Sequence, residues 1–433
     1  MNKFLFLGIA ATMFLASCSS DSDIASGNTE PIQEVGNSDE PILLSLSQKG
    51  NITRSPLGNV GEDGKYDGSF TTAPDTYLGI YCLATGKIAG TENIFWNNDN
   101  PNFKWLENIK ANAVTRTDSV EMTFAEGNRK VAVNTTSLTW ADGQTRYYPM
   151  GSQNSYTFYG YYPYVDASPY SWYPNHRNGE KYRVTIDNLD GTKDVIWGKS
   201  KVDENDPDAE YAYSALYFRT KKNNGLKTAD YLPVINFKHK LMKFNIILKK
   251  GTGDNLDKIG VKSAELLDVA TSGELVIANN DTADYANPEG KFDVHWYSQG
   301  SYTLKGANDQ DLEEDTYLGD KDTCHIGQGF LVPVLPKDGG VDQNGDSTYV
   351  DNGYHGEDGS MTNKGVFRLR VDFKVQGDDS GAQYKAAQYE VKPPVDGWKE
   401  GYEYDIIISV STPLEINANA VLTPWEKGTI ELY

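Results

Sequence analysis

The 433-residue chain is short of cysteine, histidine and clustered positive charge, and each shortage closes off a class of function. Three Cys with no CxxC spacing, and five scattered His (His176, His239, His295, His325, His355), give no pattern for a zinc centre, and no metal site is expected. Lys and Arg total 40 against 61 Asp and Glu, a formal net charge of -21, and no basic cluster offsets it. Such a surface repels a phosphate backbone, so nucleic acid is excluded as a partner. GxSxG, HExxH and P-loop motifs are all absent. The many carboxylates guarantee chance pairs, but none stands in a recognisable catalytic setting. No catalytic residue and no cofactor is therefore expected. Helix formers are scarce as well. What is abundant is Gly (41) and Tyr (28), together with Thr, Asn and Asp. That composition favours short strands joined by turns, and the chain reads as all-β. Its length suits two domains or one large β domain.

The first residues carry an export signal. Lys3 precedes an apolar run from Phe4 to Leu15, which is shorter than the roughly 20 residues a membrane helix needs. Leu15-Ala16-Ser17-Cys18 then has the form of a lipobox: small residues fit the peptidase, and the thiol of Cys18 takes the lipid before cleavage makes it the N-terminus. The plainer alternative is an ordinary signal peptide. Cys82 and Cys324 remain for the mature protein, to be paired or to serve as small buried hydrophobes.

After a polar linker, residues 41–48 alternate apolar and polar through Leu44 and Leu46, as a half-buried strand does. An accessible-looking loop follows, Asn51-Ile52-Thr53-Arg54-Ser55-Pro56, with one Arg. Strand patterns recur at Thr76–Leu83, Ser119–Phe124, Lys130–Val133 and Tyr182–Ile186. Among them the aromatic stretch Tyr147–Tyr164 has rings at alternating positions, which predicts one strand face in a core; a sugar-stacking platform is the other reading. Val234–Leu248 reads as one strong strand with a kink after His239, and later strands are expected at Val261–Leu267, Glu274–Ile277, Gly329–Val334, Val366–Val375, Gln388–Val391 and Glu403–Val410. The pattern breaks within 220–236, the expected domain junction. The tail from Leu414 to Trp425 alternates again, with Ile416, Ala418, Ala420 and Leu422 on one face. Asp338–Asp346 has the look of a calcium loop, but its Gly345 falls at position four counted from Asp342 as the first, where an EF-hand needs Gly at position six, and an acidic surface turn is the alternative. The acidic runs Asp203–Glu210 and Asp309–Asp315 read as solvated loops.

Together these segments resemble the fimbrillin family, the lipoprotein pilins of type V pili. The match is carried by the lipobox at Cys18, the strand and Arg54 loop, the Tyr147–Tyr164 block around Phe158-Tyr159-Gly160-Tyr161-Tyr162-Pro163, Phe237-Lys238-His239-Lys240-Leu241, and Trp398-Lys399-Glu400-Gly401-Tyr402-Glu403-Tyr404 followed by Val421-Leu422-Thr423-Pro424-Trp425. The resemblance implies a signal peptide (1–17), a lipidated propeptide (18–54), two transthyretin-like β-sandwich domains of Greek-key topology (55–230 and 231–410) and a C-terminal segment (411–433). It implies a precursor held in the outer membrane by the lipid on Cys18, then cut between Arg54 and Ser55 by a protease of Arg specificity. The cut would remove a plug strand carrying Leu44 and Leu46. A donor strand from a neighbouring pilin subunit would take its place, with Leu414, Ile416, Ala418, Ala420, Leu422, Trp425, Ile430 and Leu432 as its apolar residues, giving an extracellular fimbrium. The intact strand before Arg54 and the eight residues after Trp425 favour a stalk subunit over a tip or an anchor. The competing expectation is a glycan-binding surface lipoprotein or tip adhesin using Trp96, Trp105, Trp140 or Trp172.

Overall fold

Alternating apolar positions become strands wherever the described chain carries them. The computed structural model describes residues 37–46, 77–84, 104–124, 127–150, 155–166, 181–203, 205–226, 231–253, 256–279, 288–294, 299–304, 317–333, 336–341, 347–349, 366–375, 385–394, 397–410 and 429–432. All of them fall in one unit, Val35–Tyr433. The first half holds β1 (Asn37–Pro41), β2 (Leu44–Leu46), β3 (Tyr77–Ala84), β4 (Lys104–Phe124), β5 (Gly127–Trp140), β6 (Tyr147–Pro149), β7 (Tyr156–Tyr162), β8 (Lys181–Ile186), β9 (Ile196–Ser200) and a helix, α1 (Ala215–Asn223). Next come β10 (Val234–His239), β11 (Met242–Lys250), β12 (Ile259–Ala270), β13 (Gly273–Asn279), β14 (Phe292–Val294) and β15 (Gln299–Thr303). The last are β16 (Thr323–Leu331), β17 (Pro336–Val341), β18 (Ser347–Tyr349), β19 (Phe367–Val375), β20 (Lys385–Val391), β21 (Glu403–Val410) and β22 (Thr429–Leu432). The protein is thus mostly β, with α1 the addition that composition did not foretell.

Six strands of the first half and β10 close on themselves in the order β10-β2-β5-β4-β3-β7-β9. The closing seam, β9 on β10, depends on two glycines. Gly160 of β7 is registered with Gly198 of β9, which is registered with Phe237 of β10. A Cβ on Gly160 would stand 2.6 Å from the Phe237 ring, and one on Gly198 would stand 2.4 Å from the Asn236 carbonyl oxygen. The ring therefore lies over bare backbone. Forcing a side chain under it costs about 1–3 kcal/mol by overpacking. Gly160→Val is expected to lower the urea midpoint accordingly with an unchanged m-value, and an unshifted midpoint would show that the seam tolerates the bulk.

The aromatic stretch is buried on both faces, not one. Tyr156 and Phe158 lie on one side of β7 and Tyr159 and Tyr161 on the other, and all four are buried. The reason is a second layer: β8 pairs with β13, which also pairs with β14, and this small sheet joins the two halves of the sequence. The Tyr159 hydroxyl donates to Glu289 at 2.9 Å and the Trp197 indole N–H to the Ile277 carbonyl at 2.9 Å.

The second half contains two four-stranded sheets, β16-β11-β21-β22 and β15-β12-β19-β20. Along β11 and β19 residues alternate buried and half-buried, so each presents one face to a shared core. Phe244 of β11 meets Phe367 of β19 at 6.2 Å, Phe367 meets Trp398 at 5.3 Å, and Trp398 meets Tyr404 edge-on at 4.9 Å. The long run Val234–Leu248 breaks at Lys240-Leu241, so that β10 belongs to the closed sheet and β11 to this sandwich. Backbone bonds from Lys240 to Val195 (2.7 Å) and from Gly401 to Leu241 (2.9 Å) fix the break, and beside it His239 is bonded to the buried Asp194.

Candidate functional site

The segment before Arg54 occupies an interior place in the closed sheet. Pro41 ends β1 and the next residues alternate: Ile42 and Leu44 are 4% and 3% exposed, and Leu43 between them is 49% exposed. β2 is antiparallel to β5, pairing Leu44 with Leu138, Ser45 with Ser137 and Leu46 with Thr136. On its other side it is parallel to β10, pairing Ser45 with Val234 and Leu46 with Ile235. Both edges of β2 are therefore occupied, and its loss would leave two strand edges and an apolar trench in the middle of the sheet. Fully burying side chains such as Ile42 and Leu44 contributes about 1.5–3 kcal/mol each.

Neighbouring groups shape the approach to β2. The Ile42 N–H donates to the Arg146 carbonyl at 2.7 Å. Arg146 is held by two bonds to Asp142, at 3.0 and 2.8 Å, and lies over the Trp140 ring at 5.1 Å. That guanidinium holds the Asp142 carboxyl down to about 2. β1 pairs with β6, Asn37 with Pro149 and Pro41 with Tyr147. Behind it Tyr148 stacks on Phe218 of α1 at 4.0 Å, and Lys222 of α1 reaches Glu40 at 4.0 Å. The helix starts where Ser214 accepts a bond from the Tyr217 N–H at 3.3 Å, an N-cap that the surrounding aromatics disguise in the sequence.

The family model for fimbrillin-like proteins matches residues 91–425. The chain belongs to the fimbrillin-like family. Solved structures similar to this fimbrillin-like chain include a candidate cell adhesion protein from Bacteroides uniformis, at 14% identity over 91% of this chain and 96% of that one, TM-score 0.40. They also include a fimbrial assembly protein from Parabacteroides distasonis (10% identity, 92% and 99% covered, TM-score 0.33) and the fimbrial anchor protein Mfa2 from Porphyromonas gingivalis (9%, 86% and 90%, TM-score 0.27). A comparison with curated protein sequences gives no match.

Leu44 sits buried in β2 and Leu46 stands at a β2 position between Thr136 and Ile235. Ile430 and Leu432 lie in β22, which runs parallel to β21 of the same chain, opposite Ile406 and Ile408. Cys18, Arg54, Ser55 and the stretch from Leu414 to Trp425 fall outside the described residues. So do Trp96, Trp172 and the acidic run 309–315. Trp105 and Trp140 are half-buried against the core, and the Trp105 indole N–H donates to the Tyr147 carbonyl at 2.8 Å. Cys82 is buried in β3 and Cys324 half-buried in β16, both free, and burial pushes both thiols up. Asp338 lies in β17, while 342–346 is outside the described residues. Among the described residues no group of His, Cys, Asp or Glu could hold a metal, and no helix is long and apolar enough to cross a membrane. Ile42, Leu138, Val234 and Ile235 complete the surroundings of β2 and were not singled out from sequence.

The acidic run Asp203–Glu210 is more than a solvated loop in this fimbrillin-like chain. Lys221 of α1 is buried and pairs with Asp206 and, at 2.8 Å, with Asp208. Hydrogen bonds from Lys221 and then Tyr211 hold Asp208 below the usual carboxylate range. A carboxylate lowered on folding stabilises the fold above its unfolded value of about 3.9, and that contribution is lost as pH falls through the folded value. Acidification below about pH 4 is expected to loosen α1, read as a loss of near-ultraviolet circular dichroism. Lys221→Met should remove that acid step, and an unchanged step would place its origin elsewhere.

Proposed function

We propose that this fimbrillin-like protein is a structural subunit of a type V pilus that supports cell adhesion. In this reading it is exported as a precursor acylated at Cys18, carried to the outer membrane, and cut between Arg54 and Ser55 by an Arg-specific protease. It then polymerises as other subunits supply the strand that the cut removes. The observation that carries the reading is the interior position of β2. A leader strand at a sheet edge could leave without consequence, whereas β2 leaves unpaired N–H and C=O groups on β5 and β10 together with the space of Ile42 and Leu44. An extended peptide satisfies both demands at once, with main-chain bonds for the edges and alternate apolar side chains for the trench. Leu414, Ile416, Ala418, Ala420 and Leu422 give the C-terminal segment that pattern. Because one subunit donates and the next accepts, the contact does not close on itself and propagates into a fibre. The subunit is assigned to the stalk, since it has both a strand to lose and a tail to give; β22 holds the end of that tail on its own subunit until exchange. The test is the N-terminal residue of protein in the sheared fibre fraction from cells. Ser55 is expected. Acylated Cys18 throughout the fibres would overturn the reading.

A further inference from the structure

Nothing in strand replacement requires the 21-residue length of β4. β3 pairs with β4 only from Lys104 to Asn112, and β2 pairs with β5 only from Thr136 to Leu138. β4 and β5 nevertheless stay paired from Ala111–Trp140 out to Phe124–Gly127. The outer part, Arg116–Thr135 to Phe124–Gly127, is a two-stranded arm about 30 Å long at ~3.4 Å per residue, and no other described strand flanks it. A lone two-stranded ribbon is marginal in water, and open edges invite another strand.

We infer that this arm extends the acceptor, and that its occupant is the C-terminal segment Leu414–Trp425 of a second copy, lying along the open edge of β5. The inference rests on the strand-exchange reading and adds to it where, and for how long, the incoming strand is held. Direction supports it. β2 is antiparallel to β5, so a strand that enters its place and runs past the position of Leu46 continues opposite Thr135, Asn134 and onward to Gly127. Length supports it too. β2 uses three places on β5, but from Leu138 to Gly127 there are twelve, and Leu414–Trp425 is twelve residues long. With Leu414 in the place of Leu44, Ile416 falls opposite Thr136, Ala420 opposite Ala132 and Val421 opposite Val131. Pro424 and Trp425 then arrive at the arm's end, opposite Asn128 and Gly127, where a proline that stops a strand does no harm.

Two variants test this after limited digestion with an Arg-specific protease, followed on gels run without boiling. The first deletes Asp118–Val133 and joins Thr117 to Asn134 through Asn-Gly, the favoured two-residue hairpin turn. Wild type should give ladders, and the shortened variant should give ladders that dissociate in detergent at least tenfold faster. Absence of ladders in wild type would sink strand exchange itself. Equal dissociation rates would sink the arm's role and leave strand exchange standing. The second variant combines Val131→Cys and Val421→Cys in a Cys82→Ala, Cys324→Ser background, with position 419 or 423 replaced by Cys instead of 421 to allow a shifted register. It keeps the arm whole, so it decides the matter if the deletion does not fold. Ladders that survive boiling and collapse on reduction are expected; if none of the three pairs cross-links in wild-type-like polymers, the inference is wrong.

Discussion

Arg54→Ala is expected to abolish maturation and assembly together. In the proposed strand exchange, β2 competes for its own slot at the effective concentration of a tethered segment while the leader is covalently attached. Burial of Ile42 and Leu44, at about 1.5–3 kcal/mol each, adds to the ladders with β5 and β10. An incoming strand must displace all of this, and it gains decisively only when the leader becomes a free, dilute peptide. The measurement is treatment of the soluble precursor with an Arg-specific protease, which spares Lys49, followed by N-terminal sequencing and unboiled gels. Wild type should begin at Ser55 and form ladders; the variant should stay full length and monomeric. A variant that is trimmed at the same place and polymerises like wild type would remove Arg54 from the mechanism.

Deleting residues 411–433 is expected to have an equally large effect of a different kind. The deletion removes β22, a four-residue strand at the sheet's edge, and leaves β21 its eight pairs with β11, so the subunit should fold. After cleavage it can accept a strand but has none to offer. Alone it should remain monomeric, and in equal mixture with wild type it should cap growing chains and shorten the ladder. Polymers formed by the truncated protein alone would refute the donor role.

The strands were legible because their alternation is local. Tyr77–Ala84, Lys181–Ile186, Phe367–Val375 and Glu403–Val410 fall within a residue or two of their expected places. The kink expected after His239 marks the place of the break, but the run expected as one strand is two, β10 and β11, in different sheets. Partnerships were not legible. Nothing near Leu44 names Leu138 or Val234 as its neighbours, and nothing in Tyr182–Ile186 says that this strand leaves its own half to pair with β13. The burial of Tyr159 escaped for the same reason, since the group that receives its hydroxyl, Glu289, lies 130 positions away. α1 was lost in an aromatic stretch whose rings serve helix packing and strand packing alike. Membership of the family was legible in motifs spread along the chain.

The two-residue passage from β10 to β11 also has a mechanical meaning. In the strand-exchange reading proposed above, a subunit carries tension from the strand it grips to the strand it lends, and this passage is a covalent route between the closed sheet and the sandwich. Force along β10 runs lengthwise against its five pairs with β9, and force along β11 against eight pairs with β16 and eight with β21. Bonds pulled along the strand axis share the load simultaneously, whereas bonds pulled crosswise open one after another. Tension drawn through Lys240-Leu241 is thus resisted in shear on both sides, as the proposed role of a pilus subunit under tension requires.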